Sequence, residues 1–222
     1  MKIWLALATS AQQQTEAFKK WFGKSKVVDE NGKPLRVYHG TTKDFPAFDP
    51  KSLGHGNDEN GVGYYFTDNA EWTKGYSGGE GGNTMAVYLK IQKPIYWERQ
   101  PEITAAQIRK FMSHAGNKHV AQYMRDNHDV EFSGMEAAKR EFVENHVGLD
   151  LIHASFSLYN ELYHGEKTQE RFAEIFKEVT GYDGVIVKRH EGTNYVVFSP
   201  TQIKSAIGNK GTFKPRTVNI HE

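Results

Sequence analysis

Apolar positions along the chain follow two periods, and the change from one to the other divides it. In QQQTEAFKKWFGKS, residues 12–25, Phe18, Trp21 and Phe22 fall at i, i+3 and i+4, and Gly23 follows. That spacing predicts a short amphipathic helix with a glycine stop. Asn31-Gly32 lies between two short apolar runs, a hairpin signal that makes Leu35 to His39 a strand. From Thr41 to Gly63 no period holds, and Gly54, Gly56, Gly61 and Gly63 mark a loop. YYFTD then reads as a short strand edge, and NAEWTKGYS as helical with Asp68 or Asn69 as its N-cap. MAVYLKI alternates as a strand should, and Pro94 closes it.

Between residues 101 and 180 the period is helical. Ala105, Ile108, Phe111 and Met112 form one stripe, and Phe172, Ile175, Phe176 and Val179 form another. The stretch between them is polar and is expected to be helical in part. Strands return in GYDGVIVKR and in TNYVVFSP, which Pro200 ends, and the tail after Lys210 is expected to be poorly ordered unless it docks. No repeat and no linker interrupts this plan. The expectation is one α+β domain over residues 1–222, a β-rich scaffold with a helical insertion at about 101–180.

Composition narrows the function classes only a little. With 38% hydrophobic and 13% aromatic residues the chain can build a core, and a formal net charge of +1 offers no global basic field for nucleic acid. A local basic groove stays compatible with that balance. The absence of cysteine removes disulfides, thiolate nucleophiles and Cys-ligated zinc. His114, His119 and His128 have no metal-ligand spacing and read as surface residues, so no metal is expected. GHGNDENGVG has no Gly-Lys-Ser/Thr and is not a phosphate loop. The N-terminal MKIWLALATSA carries an apolar run shorter than the roughly 7–15 residues of a signal h-region. A cytoplasmic location is therefore expected over secretion, with no membrane partner.

Three segments each place an odd residue where a plain core strand would not: VYHGT, GVGYYFTDNAEWTKGY and TNYVVFSPTQIKSA. Taken singly, His39 reads as a surface or satisfied core histidine and Tyr65 and Tyr76 as core aromatics. Specificity lies in the combination, with Thr73 and Tyr76 at +8 and +11 from Tyr65. Together these segments resemble the His–Tyr–Glu class of ADP-ribosyltransferases, which includes diphtheria-type toxins and poly(ADP-ribose) polymerases. The closer similarity is to the ADP-ribosyltransferase domains of phage and prophage polyvalent proteins. Those share the lead-in FKKWFGKSKVVDENGKPLRVYHGT and the ending QIKSAIGNKGTF. The resemblance covers residues 16–94 and 181–213 and carries little of 101–180.

The resemblance implies a split β-sheet ADP-ribosyltransferase fold with NAD as substrate. His39 would bond the NAD ribose, and Gly40 would hold the nicotinamide carboxamide with its backbone. Thr41 completes the motif, Tyr65 and Tyr76 would sandwich the nicotinamide ring, and Thr73 would donate its hydroxyl to the carboxamide. The implied catalytic set is His39, Tyr65 and the residue at the glutamate position, which here is Asn194. Physical chemistry agrees with such a site. Cleaving the nicotinamide–ribose bond builds an oxocarbenium-like transition state, which needs a held leaving group, a flat clamp and a supported ribose. Tyrosines give stacking area at small entropy cost, and a glycine allows close backbone approach.

Asn194 can bond a ribose hydroxyl, but it cannot act as an anion. Glu191 would substitute only if a bulge at Gly192 turned it to the same face. The leading expectation is mono-ADP-ribosyl transfer from NAD to a macromolecule, protein or nucleic acid, with the insertion as the place for target recognition. Its rivals are a catalytically silent NAD-binding or interaction module, an NAD glycohydrolase, and a chain altered to tame a toxic enzyme. A toxin-like phage or prophage setting would allow an antitoxin or immunity partner.

Overall fold

The computed structural model describes residues 11–49, 62–75, 83–128, 130–163 and 169–222. Tyr76, Gly54, Gly56, Gly61 and the N-terminal apolar run fall outside the described residues. Helix α1, Glu16–Phe22, starts where Thr15 accepts a hydrogen bond from the Phe18 amide and stops at Gly23. It buries Phe18, Trp21 and Phe22 with Tyr88 and Phe213. The Asn31-Gly32 turn forms as expected, with Asp29 Oδ1 accepting from the Asn31 and Lys33 amides.

The strands are β1 Val37–Thr41, β2 Tyr64–Thr67, β3 Asn83–Leu89, β4 Pro94–Tyr96, β5 Gly184–Arg189, β6 Gly192–Val197 and β7 Ile203–Ser205. They form a sheet in the order β4-β5-β6-β2-β1-β3-β7, with only β4–β5 parallel. Its middle is nearly parted. β1 pairs with β3 from Val37↔Val87 to Thr41↔Asn83, but it meets β2 only at Tyr38↔Thr67. Two half-sheets therefore share one register pair, and a split opens beyond it.

The insertion carries α2 Ala105–Ala115, α3 Asn117–Asn127, α4 Val130–Ser133, α5 Met135–His146, α6 Leu151–Leu162 and α7 Gln169–Thr180. A Thr104/Gln107 capping box starts α2. The helices share one apolar cluster with Val185, Val187, Val196 and Phe198, so the insertion closes one face of the sheet. His128 is half-buried on Phe142, with Nδ1 3.5 Å from Glu141, and is not the surface residue expected. The opposite face is covered by Val27, Phe48, Ile220 and their neighbours. No helix among the described residues is long and apolar enough to cross a membrane.

The C-terminal tail docks. Ser205 N donates to Ile220 O and Ile220 N to Pro46 O, both at 2.8 Å, and Ala47 bridges Asn219. Lys204 is wholly buried and donates to Thr217 O and Asn219 O at 2.9 and 3.0 Å. Burial pushes its ammonium down to about 8. The tail is thus a strap that holds the Phe45–Phe48 loop. Ile220→Asp is expected to cost about 3 kcal/mol in chemical denaturation, because it buries an unpaired charge. Val218→Asp is the control. Val218 is 45% exposed, and its change should stay within about 0.5 kcal/mol.

Candidate functional site

Residues directly opposed in an antiparallel ladder point to one face of the sheet. Tyr38, Thr67, Asn194 and Val187 therefore form a row across β1, β2, β6 and β5. The next row holds Gly40 on one side of the split and Tyr65, Val196 and Val185 on the other. Tyr65 and Asn194, about 130 residues apart in the chain, thus share a face beside the split. The Asn194 side chain is half-buried and makes no hydrogen bond among the described residues. Tyr65 is half-buried and packs against the apolar cluster of the insertion.

His39 spans the split. Its ring packs edge-on against Phe48 at 4.9 Å and lies tilted 5.4 Å from Phe66, while Nδ1 sits 2.9 Å from Tyr65 O. A carbonyl only accepts, so Nδ1 carries the hydrogen. Burial lowers the imidazole pKa below 6.5, more than the Tyr65 carbonyl raises it, and the ring is neutral at pH 7. Nε2 is then a lone-pair acceptor, suited to a sugar hydroxyl. Protonating Nε2 converts it to a donor. A ligand held by that bond should keep its affinity from neutral pH down through 6.5 and lose it only at lower pH. His39→Ala should remove that acid limb in a calorimetric titration with NAD. By the same sign, His39 contributes stability that is present above pH 6.5 and lost as pH falls through its depressed pKa.

Gly40 faces the end of the 3₁₀ helix Ala70–Gly75, and a Cβ built there would lie 2.4 Å from Thr73 O. Thr73 is buried; its hydroxyl donates to Ala70 O at 2.6 Å and lies 2.7 Å from Thr84 Oγ1. Its one proton is engaged, so donating to a carboxamide oxygen requires it to exchange that partner. Thr41 Oγ1 accepts from the Lys43 amide at 3.1 Å and turns the chain out of β1. The structure brings His39, Gly40, Tyr65, Thr73 and Asn194 around one split; Tyr76 lies outside the described residues.

Glu191 is not available as a substitute carboxylate. The β5–β6 ladder runs unbroken from Gly184↔Val197 to Arg189↔Gly192, which leaves His190 and Glu191 as the exposed two-residue turn. There is no bulge at Gly192, and Glu191 stands at the hairpin tip. Sequence reasoning also missed the Phe45–Phe48 wall and the role of Asp68. Asn69 caps the 3₁₀ helix by accepting from the Glu71 amide, whereas Asp68 Oδ1 accepts from the Thr193 amide at 2.7 Å. Nothing local distinguishes those two neighbours, because the Thr193 bond is made 125 residues away. No group of three or more potential metal ligands occurs among the described residues.

A mixed sheet parted beside a His-Gly strand, with a helical segment between β4 and β5, fits the architecture of the ADP-ribosyltransferases. The family described as ADP-ribosyltransferase in polyvalent proteins matches residues 29–213, and the chain belongs to it. ADP-ribosyl transfer is the activity this membership implies in general. No curated protein and no solved structure gave a significant match.

Proposed function

We propose that the chain transfers single ADP-ribose units from NAD to a macromolecular acceptor and releases nicotinamide. The observation that carries this reading is the split itself. It has a neutral histidine acceptor on one lip, packed on Phe48 and Phe66, and Tyr65 on the other, with Asn194 one row along from Tyr65 on the face of Tyr65. In the reaction the bond between the nicotinamide nitrogen and the ribose anomeric carbon breaks. Its electron pair neutralises the nicotinamide ring, and an acceptor oxygen or nitrogen bonds the oxocarbenium carbon and sheds its proton. His39 Nε2 accepts from a ribose hydroxyl, Gly40 and Thr73 receive the leaving group, and Tyr65 stacks on it. Orienting a bound dinucleotide this way is worth several kcal/mol.

Asn194 sets the limit of the chemistry. Extending a polymer requires an incoming sugar hydroxyl to be deprotonated, and an amide cannot take that proton. An acceptor that brings its own base or is already ionised has no such need, which favours single transfers. The same missing carboxylate supports a second reading, an NAD binder with little turnover.

The experiment is incubation with NAD labelled on the adenine side and a bacterial lysate, followed by separate digestion with protease and with nuclease. Label removed by one digestion only, and absent with His39→Ala, is the expected result and names the acceptor class. Free ADP-ribose with no labelled macromolecule would make the protein a glycohydrolase. Nicotinamide release only with Asn194→Glu would make it the silent binder.

A further inference from the structure

The last register pair between β2 and β6 is Thr67↔Asn194. Beyond it β2 turns away into the 3₁₀ helix that carries Thr73, so the strand that presents Asn194 would lose its neighbour there. Asp68 prevents that loss. Its amide donates to Thr193 O at 3.1 Å, as a ladder residue would, and its carboxylate takes the return bond from Thr193 N at 2.7 Å. Asn69 adds a bond from Nδ2 to Glu191 O at 2.9 Å, and its own amide donates to Thr67 Oγ1 at 3.2 Å. The fit is close: a Cβ on Gly192, whose φ is +153°, would lie 2.8 Å from Asp68 Oδ1. One turn therefore ends the Tyr65 strand, starts the Thr73 helix and grips the residue before Asn194.

The carboxylate itself does not look into the split. With Thr193, Tyr195 and Lys188 it lines a groove on the face opposite Asn194. Its charge helps push the Tyr195 hydroxyl up to about 12, behind the larger effect of burial. It is therefore not a stand-in anion for the ribose.

We infer that Asp68 is a positioning residue: its hydrogen bond to the Thr193 amide sets Asn194 against the bound ribose and ties that contact to the nicotinamide clamp. This rests on the transfer reading above. Asp68 acts through the bond, not through its charge, and the two can be separated. Asp68→Asn keeps an oxygen that accepts from Thr193 N, whereas Asp68→Ala removes it.

The test compares the wild type with both variants. It measures NAD affinity by calorimetry, the rate of nicotinamide release, and the Asn194 side-chain amide resonances before and after NAD. Asp68→Ala is expected to slow release by about tenfold or more with NAD affinity within about threefold, because small misplacements weigh on the reacting geometry. It should also abolish the NAD-dependent shift of the Asn194 amide, and Asp68→Asn should restore both. Wild-type behaviour of Asp68→Ala would overturn the inference. So would Asp68→Asn being as impaired as Asp68→Ala, which would assign the effect to charge, or an equal loss of NAD binding in both, which would make Asp68 merely structural. If the wild type releases no nicotinamide, the transfer reading fails by itself. The Asn194 resonances then decide the positioning role without reference to turnover.

Discussion

Asn194→Glu is expected to raise nicotinamide release by about a hundredfold or more. The oxocarbenium that forms as nicotinamide leaves carries positive charge on the ribose, and an amide offers it only a dipole. A preorganised electrostatic contact at a developing charge is worth about 2.7–4 kcal/mol, or about 10²–10³ in rate. The site is prepared to receive the longer side chain. Asn194 is half-buried and makes no hydrogen bond among the described residues, so nothing is broken by replacing it. Its partners across the row are Thr67 and Val187, and neither is charged. On the proposed reading NAD is held mainly by His39 and the clamp, so the ground state should change little. The gain should therefore fall on kcat, with KM nearly constant, as measured from initial rates of nicotinamide release. A variant that binds NAD normally and is no faster than the wild type would show that Asn194 does not face the ribose.

Why that residue stands where it does was only partly legible in the chain. The period-two alternation of TNYVVFSP gives a strand, and alternation says which residues share a face. It does not say which strand lies alongside. That Thr67 opposes Asn194, and that Tyr65 shares their face, comes from a pairing across some 130 residues. The split depends on an absence. β1 and β2 are both good strands, yet they meet at one pair, and beyond it Tyr65 O bonds the His39 ring. No propensity records a hydrogen bond that a side chain donates to a distant backbone carbonyl.

The same limit explains Glu191 and the tail. A glycine in a strand pattern signals a bulge or a close approach, and Gly192 is the second. Asp68 Oδ1 occupies the room a Cβ would need, while the ladder stays regular and puts Glu191 in the turn. In the tail, Phe213 and Ile220 are apolar residues without a period among polar neighbours. Their burial follows from where β7 and the Phe45–Phe48 loop already lie. The helical stripes, by contrast, were readable because each is a local pattern that buries one face. Ile108, Phe111, Met112, Phe172, Ile175, Phe176 and Val179 are all in the core.

Gly40→Ala should produce the second large effect, and a selective one. The added methyl would stand 2.4 Å from Thr73 O and 3.1 Å from Thr73 Cα, and these are backbone atoms that cannot rotate aside. Either β1 or the 3₁₀ helix must move. β1 is held by five register pairs to β3, whereas the helix is a single short element between β2 and residues outside the described set. The helix should give way, carrying Thr73 outward and breaking its contact with Thr84. Overpacking of this kind costs about 1–3 kcal/mol of stability, readable as a lower denaturation midpoint. The functional loss should be confined to one end of the ligand. Nicotinamide and NAD should bind at least about tenfold more weakly, while ADP-ribose, which lacks the ring and on the proposed reading uses the His39 acceptor, should bind as to the wild type. Calorimetry with the three ligands separates these effects. Equal weakening of all three would mean that the clamp and the ribose contact move as one body, as the Asp68 turn would require if it were stiffer than the helix it starts. Unchanged binding of all three would remove Gly40 and Thr73 from the nicotinamide end of the site.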